Sequence, residues 1–387
     1  MTGTSKDAVA QPRMLVLARE SRSLTQGQLA AAMSALDGPG SKISQAYISR
    51  AEAGRLAVSG ERLKVHARTL EYPVELLCVT AQEFGAGAGL VHHRKKQAAS
   101  AGDLKRIHAV LNLTRIQLHA LLRDVPRPAG KGIPKIAVDA LTTPADAARR
   151  LRAEWTSSGG PLDSVVELAE ETGALVAYRK LVAPVPLDSG TESVPVDAVS
   201  CSPSGEDPLV LLNVGTPAER QRFTLAHELG HMVMHEVPHP EQEKQANSFA
   251  AELLMPARDI RAELARGQVT MSRLLALKAR WKVSMWALLR RAHTLGILSD
   301  WQYRGLAVEM SSLGYRTSEP GTLESEIPTA VASMLTWHFE QGRDVAELAG
   351  RALLSPREFT DLYLRCPAPS TGTASRSLSS AVGEVTR

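Results

Sequence analysis

Arg222-Phe-Thr-Leu-Ala-His-Glu-Leu-Gly-His231 places two imidazoles four residues apart, with a carboxylate directly after the first. On an α-helix, residues i and i+4 project from one face, so the His227 and His231 rings can reach a single metal ion. Glu228 stands beside them, placed to act as a base. This HExxH spacing is that of a zinc-peptidase helix, and chance seldom supplies both histidines, the carboxylate and a helical context together.

The flanking residues predict that helix. Thr216-Pro217-Ala218-Glu219 reads as a capping box, in which the Thr216 and Glu219 side chains satisfy first-turn amides and Pro217 takes the first helical position. The helix runs toward Pro238, which stops it. Phe223, Ala226, Gly230 and Val233 recur at helical spacing, so one side packs into a core while the histidines look into a cleft.

A catalytic zinc takes three protein ligands and keeps one position open. His235 lies one further turn along the helix, about 6 Å up its axis, and is expected to face solvent or to support the site from behind. Glu243 opens the next segment, after Pro238-His239-Pro240, and a second helix folded back across the first could deliver it. Glu252, later in that segment, is expected to be solvated. The pattern differs from HExxHxxGxxH because no histidine stands at the sixth position after His231.

The segment Glu243-Lys-Gln-Ala-Asn-Ser-Phe-Ala-Ala-Glu-Leu-Leu-Met-Pro256 completes a resemblance to the ImmA/IrrE metallopeptidases, which pair an RFTLAHELGH-like helix with an ExxANxFAAELLMP-like one. The resemblance implies that His227, His231 and Glu243 hold one Zn2+ per chain and that Glu228 is the general base. It continues through Leu274 to Leu298, where Trp281-Lys-Val-Ser-Met-Trp286 looks like the family's closing helical subdomain. Upstream, Asp197 to Asn213 looks like its strand pair. Zinc in such a site polarises the scissile carbonyl and acidifies a water, whose proton Glu228 takes and passes to the leaving amine. Pro208-Leu-Val-Leu-Leu-Asn213 reads either as an edge strand that holds an extended peptide or as an ordinary core strand.

Arg13 to Gly54 resembles an Xre-type helix-turn-helix. Thr25 caps a supporting helix, and Ser44 caps a recognition helix that ends at Gly54. Ile48 and Ala51 face the core. Gln45, Ala46, Tyr47, Ser49 and Arg50 then lie on or near the outer face, where side chains can reach base edges or phosphates, with Ser44 at the cap and Gln26 near the DNA backbone. The loop Ser34 to Lys42, with Gly38-Pro39-Gly40 at its centre, lengthens the turn by about eight residues over a tight motif. The competing reading is a small helical bundle used for protein contacts.

Charge points the same way, since residues 1–100 hold 13 Lys and Arg against 8 Asp and Glu, a net +5, while the whole chain is +4. His92-His93-Arg94-Lys95-Lys96 reads either as a phosphate contact or as a solvated linker. Cys78, Cys201 and Cys366 stand singly, so neither a disulfide framework nor a thiolate zinc site is indicated, and a reducing cytoplasm fits. No apolar run is long enough for a signal peptide or a membrane span, and no membrane partner is expected.

A chain of 387 residues implies two or three domains. The fold class expected is mainly α with a small β-sheet. A helix-turn-helix bundle (1–80) leads through a linker and helical connector (81–136) to an α+β zincin-like metallopeptidase domain (137–298), a helical accessory domain (299–366) and a disordered tail (367–387). Asp103 to Leu122 and Pro144 to Gly173 read as helices with polar faces, Pro126 to Pro134 as their linker, and Ala174 to Tyr178 as a strand. The resemblances imply a DNA-binding regulator whose zinc endopeptidase cleaves a transcriptional repressor to switch gene expression, in stress, mobile-element or phage-type control. The alternative is a regulator whose zinc domain senses a signal or holds structure without proteolysis. Operator DNA and a protein substrate are the expected partners, and a palindromic operator would call for a homodimer.

Overall fold

The structure, a computed structural model, describes residues 8–80, 91–93, 100–126, 131–155, 159–181, 196–202, 206–237 and 239–365, with the backbone alone for 91–93. The expected tail, and the side chains of the basic cluster at 92–96, lie outside the described residues.

Short helices open the chain: α1 (Pro12–Ser21), α2 (Gln26–Asp37), α3 (Gln45–Glu52), α4 (Gly60–Leu70) and α5 (Val74–Cys78). Thr25 and Gln28 form a capping box on α2, and the Ser44 hydroxyl accepts from the Tyr47 amide to start α3. Helix α2 runs to Asp37, so the first half of the expected loop is helical and the turn proper begins at Gly38, with φ +94°. An l-residue is strained there, which is why glycine ends the helix.

Helix α6 (Ala101–Leu122) follows the short strand β1 (Val91–His93). The expected polar face is exposed only in part, at Lys105 and His119. Asn112, Thr114, Arg115 and Gln117 are buried with the apolar positions; Asn112 donates back to the His108 carbonyl at 2.8 Å, while Arg115 reaches Glu206 at 2.8 Å and Gln117 accepts from the Tyr363 hydroxyl at 3.0 Å.

Helices α7 (Pro144–Trp155) and α8 (Val165–Glu171) precede a mixed sheet of β2 (Leu175–Arg179), β3 (Ala198–Cys201) and β4 (Leu209–Asn213), ordered β1-β3-β4-β2. β3 pairs antiparallel with β1 and β4, while β2 and β4 run parallel. Alternation sorts the strand residues onto two faces. Leu175, Ala177, Val199, Cys201, Leu209 and Leu211 face one core, whereas Val176, Tyr178, Ala198, Val210 and Leu212 face the other.

Those two cores cut across the order of the chain. The first unites α1 to α6 with one sheet face and with α15 (Ala330–Glu340), α16 (Val345–Arg351) and α17 (Pro356–Phe359), which continues as a π turn to Leu364. The second holds α7 and α8, the other face, and α9 (Ala218–Met234), α10 (Gln242–Leu254), α11 (Ala257–Leu264), α12 (Met271–Trp281), α13 (Met285–Thr294) and α14 (Asp300–Ser312). Residues 299–366 therefore contribute to both cores. Two carboxylates tie their connecting segment to the site region. Glu326 caps α8 through the Val165 and Val166 amides, each at 2.7 Å, and Glu319 takes the Met285 amide of α13 at 2.8 Å. No helix among the described residues is long and apolar enough to cross a membrane.

Candidate metal centre

Helix α9 bears the histidines and lies on the sheet face that carries Val210 and Leu212. It begins at Ala218 with Pro217 at its cap, and no side chain caps it. The predicted box is not formed because the Glu219 carboxylate turns to the buried ammonium of Lys278 on α12, 2.7 Å away. The helix ends at Met234, and Pro238 lies outside the described residues.

Ala226 and Val233 enter the core as the spacing predicts. Gly230 has a sharper role. A Cβ at this position would lie 2.9 Å from Cδ1 of Phe249, so only glycine lets Phe249 of α10 rest on α9 at this separation. The close crossing carries Glu243, in the first turn of α10, over the histidine pair.

The result is a convergent triad. His227 Nε2 and His231 Nε2 are 3.0 Å apart, and the Glu243 oxygens lie 3.4 and 3.3 Å from them respectively. Tetrahedral zinc with bonds of about 2.0–2.1 Å needs ligand atoms separated by roughly 3.3 Å, so the three atoms already outline one face of such a tetrahedron. Both imidazoles are fully buried, while Glu243 is half-exposed. In the absence of an ion, contact with His227 and then His231 holds the Glu243 carboxyl far below the usual carboxylate range, against the opposing effect of burial; a bound cation would take the place of the protons between them.

Residues 185–293 match the family model of the IrrE N-terminal-like domain, Peptidase_M78. The match spans β3, β4 and α9 through nearly all of α13, and so includes His227, Glu228, His231 and Glu243. It supports a metallopeptidase-type enzyme. No curated protein matches the chain.

Three contacts support the site in this M78-matched region; the one through His235 is among the roles the sequence allowed it, and the other two escaped the sequence reading. His231 Nδ1 is 3.0 Å from His235 Nδ1, whose Nε2 is 2.8 Å from Gln245 Oε1. One tautomer set satisfies that chain: His231 donates from Nδ1, His235 donates from Nε2 to the amide oxygen, and His231 Nε2 presents its lone pair to the ligand point. His235 is thus buried behind the site and not turned to solvent, and burial lowers its pKa. His227 Nδ1 lies 3.2 Å from Asn247 Oδ1, and Asn247 donates to the Glu243 carbonyl at 2.7 Å, linking two candidate ligands. Ser200 Oγ donates to the buried Glu228 carboxylate. The available signal was a serine interrupting an apolar strand at the position that shares a face with Ala198.

One reading of a neighbouring residue is corrected, and one open alternative is decided. Glu252 is buried, paired with Arg291 and lying 3.2 Å from Arg149, because α10 packs its far end against α7 and α13. Of the two readings of Pro208 to Asn213, the core strand holds: β4 is interior, between β3 and β2, so its backbone is already paired and cannot take up a peptide.

At the other end of the chain, Ile48 and Ala51 are buried as expected, and Gln45, Ser49 and Arg50 are exposed along α3 with Ser44 at its start. Tyr47 departs from the outer face. It is half-buried against the first core, with its ring 5.8 Å from that of His66. Gln26 is held by Glu52 at 2.9 Å, and Arg19 grips the same carboxylate at 2.5 and 2.9 Å, which locks α1, α2 and α3 together.

Proposed function

We propose that this chain is a DNA-binding regulator whose zinc-dependent endopeptidase domain cleaves a transcriptional repressor. The observation that carries the reading is the convergence of His227, His231 and Glu243 ligand atoms within 3.4 Å of one another. Two neutral imidazoles and a carboxylate suit Zn2+ and leave a fourth position for water, whereas a structural site closes with four protein ligands. Among the described residues this is the group of side chains placed to hold an ion.

Zinc bound there supplies Lewis acidity, polarising the scissile carbonyl and acidifying a water. Glu228 takes the water's proton and delivers it to the leaving amine. Ser200 holds one Glu228 oxygen and so fixes the carboxylate's orientation. Asn247 and the His235–Gln245 pair aim the two imidazoles.

The N-terminal helices support operator binding. Exposed Gln45, Ser49 and Arg50 project from α3 on a scaffold fixed by Arg19 and Glu52, the arrangement a major-groove reader needs. A homodimer would present two such helices to a palindromic operator.

The test compares wild type with Glu228→Gln for cleavage of Xre-type repressors and for operator binding. The proposal expects cleavage lost while zinc and DNA binding are retained. No cleavage by the wild type at any zinc level would leave the sensor reading in its place.

A further inference from the structure

A second cleft lies between α1, α6, the C-terminal ends of β2 and β4, and the π turn after α17. Its volume is about 380 Å³, within the range of small-molecule sites. A wider opening of about 930 Å³ adjoins it, sharing Arg22, Tyr72, Glu358 and Asp361. None of the residues of the proposed zinc site lines either space.

The charged lining does not cancel. Arg22 and Glu358 neutralise each other in a two-pronged pair at 2.9 and 3.1 Å, and Asp361 lies 3.5 Å from Arg365. Arg106, Arg179 and Lys180 remain as a cationic excess.

Arg179 is the telling residue, because it is 4% exposed yet incompletely satisfied. Its Nη1 donates to the Tyr178 carbonyl at 2.8 Å and the Leu362 carbonyl at 3.3 Å, and its guanidinium stacks 4.7 Å from the centre of the Tyr363 ring. Nε and Nη2 have no acceptor among the described residues. Arg106 repeats the pattern: Nε reaches the Ser21 carbonyl at 3.3 Å while buried Nη1 has no acceptor. Buried guanidinium donors left without acceptors carry a large desolvation cost, which an oxyanion removes by accepting several of them at once.

We propose that this cleft binds a small molecule bearing a phosphate or carboxylate group, held by Arg106 and Arg179 with Lys180 at the rim. The ligand would touch the N-terminal helices, the sheet and the C-terminal π turn together, so its binding stabilises their packing. Tyr178, which also lines the cleft, has its hydroxyl 3.2 Å from Gln221 on α9. The cleft is therefore one side chain away from the helix that carries the histidines.

The test is calorimetry and thermal melting of the full-length protein with orthophosphate, pyrophosphate, AMP and citrate at millimolar concentration and constant ionic strength. At least one probe is expected to bind and raise the melting temperature, with affinity reduced about tenfold or more in Arg179→Met. Binding of the phosphates alone assigns a phosphorylated ligand, and binding of citrate alone assigns a carboxylate. Arg106→Met, at a less buried position, is the second variant and decides the matter if Arg179→Met does not fold. Absence of binding by every probe, or wild-type affinity in the folded variants, overturns the proposal.

Discussion

Replacing Gly230 with alanine puts a methyl group where Phe249 of α10 rests on α9. The added carbon would lie 2.9, 3.1 and 3.3 Å from Phe249 Cδ1, Cγ and Cβ, against ordinary carbon contacts of about 3.5–4.0 Å. Two of the crowded atoms are Cβ and Cγ, which ring rotation moves little, so α10 must back away by roughly 0.5–1 Å. Glu243 rides on that helix, and metal ligation tolerates only about 0.2 Å. Alanine's better helix propensity returns about 1 kcal/mol, while overpacking costs about 1–3 kcal/mol. The net destabilisation is then about 0–2 kcal/mol, small enough for the protein to fold. Zinc affinity should fall about 10–100-fold, as when a ligand's supporting partner is lost. Competition against a chromogenic chelator, run beside a thermal melt, measures both quantities. Wild-type zinc affinity in Gly230→Ala would refute the idea that this glycine sets the ligand spacing.

Removing the ammonium of Lys278 strands two carboxylates, Glu219 at 2.7 Å and Glu319 at 3.0 Å. Lys278→Met should therefore cost about 3–5 kcal/mol, read as a lowered denaturation midpoint that Glu219→Gln partly restores. His235→Phe keeps the bulk but removes the acceptor for His231, so zinc affinity should drop about 10–100-fold with little change in melting; unchanged affinity would break the proposed tautomer chain. His338 is buried, with Nε2 2.7 Å from the Leu121 carbonyl and Nδ1 2.5 Å from an Arg343 nitrogen. Burial lowers its pKa below the ordinary 6.5. The unfolded chain takes up this proton first, so stability should fall as pH drops through 6.5 toward the lowered folded value. Melts between about pH 8 and pH 5 should show a smaller loss in His338→Gln, and an identical loss would remove His338 from the explanation.

The parts of the site that were legible in the sequence are local ones. His227, Glu228 and His231 share one helical turn, so spacing alone put them together, and Glu243 was within reach because one short connection links its helix to theirs. Thr25 and Ser44 cap their helices as read, since a cap depends on three or four residues. What escaped depends on partners far along the chain. Ser200 meets Glu228 only once β3 is in register beneath α9. Glu252 looked solvated because its arginines are 39 and 103 residues away. The Thr216–Glu219 cap was the right local pattern, overridden by Lys278 from another helix. β4 could be an edge or an interior strand until the β2–β4 pairing was seen. Arg115 and Gln117 of α6 could not announce their burial, because Glu206 and Tyr363 meet them across the fold.

Metal analysis with zinc-edge X-ray absorption on the full-length protein addresses the central claim most directly. The account predicts one zinc per chain with nitrogen and oxygen ligands at about 2.0–2.1 Å, and loss of that zinc in Glu243→Ala. Protein that retains no zinc from zinc-replete growth, or a spectrum with sulfur ligands at about 2.3 Å, would contradict it.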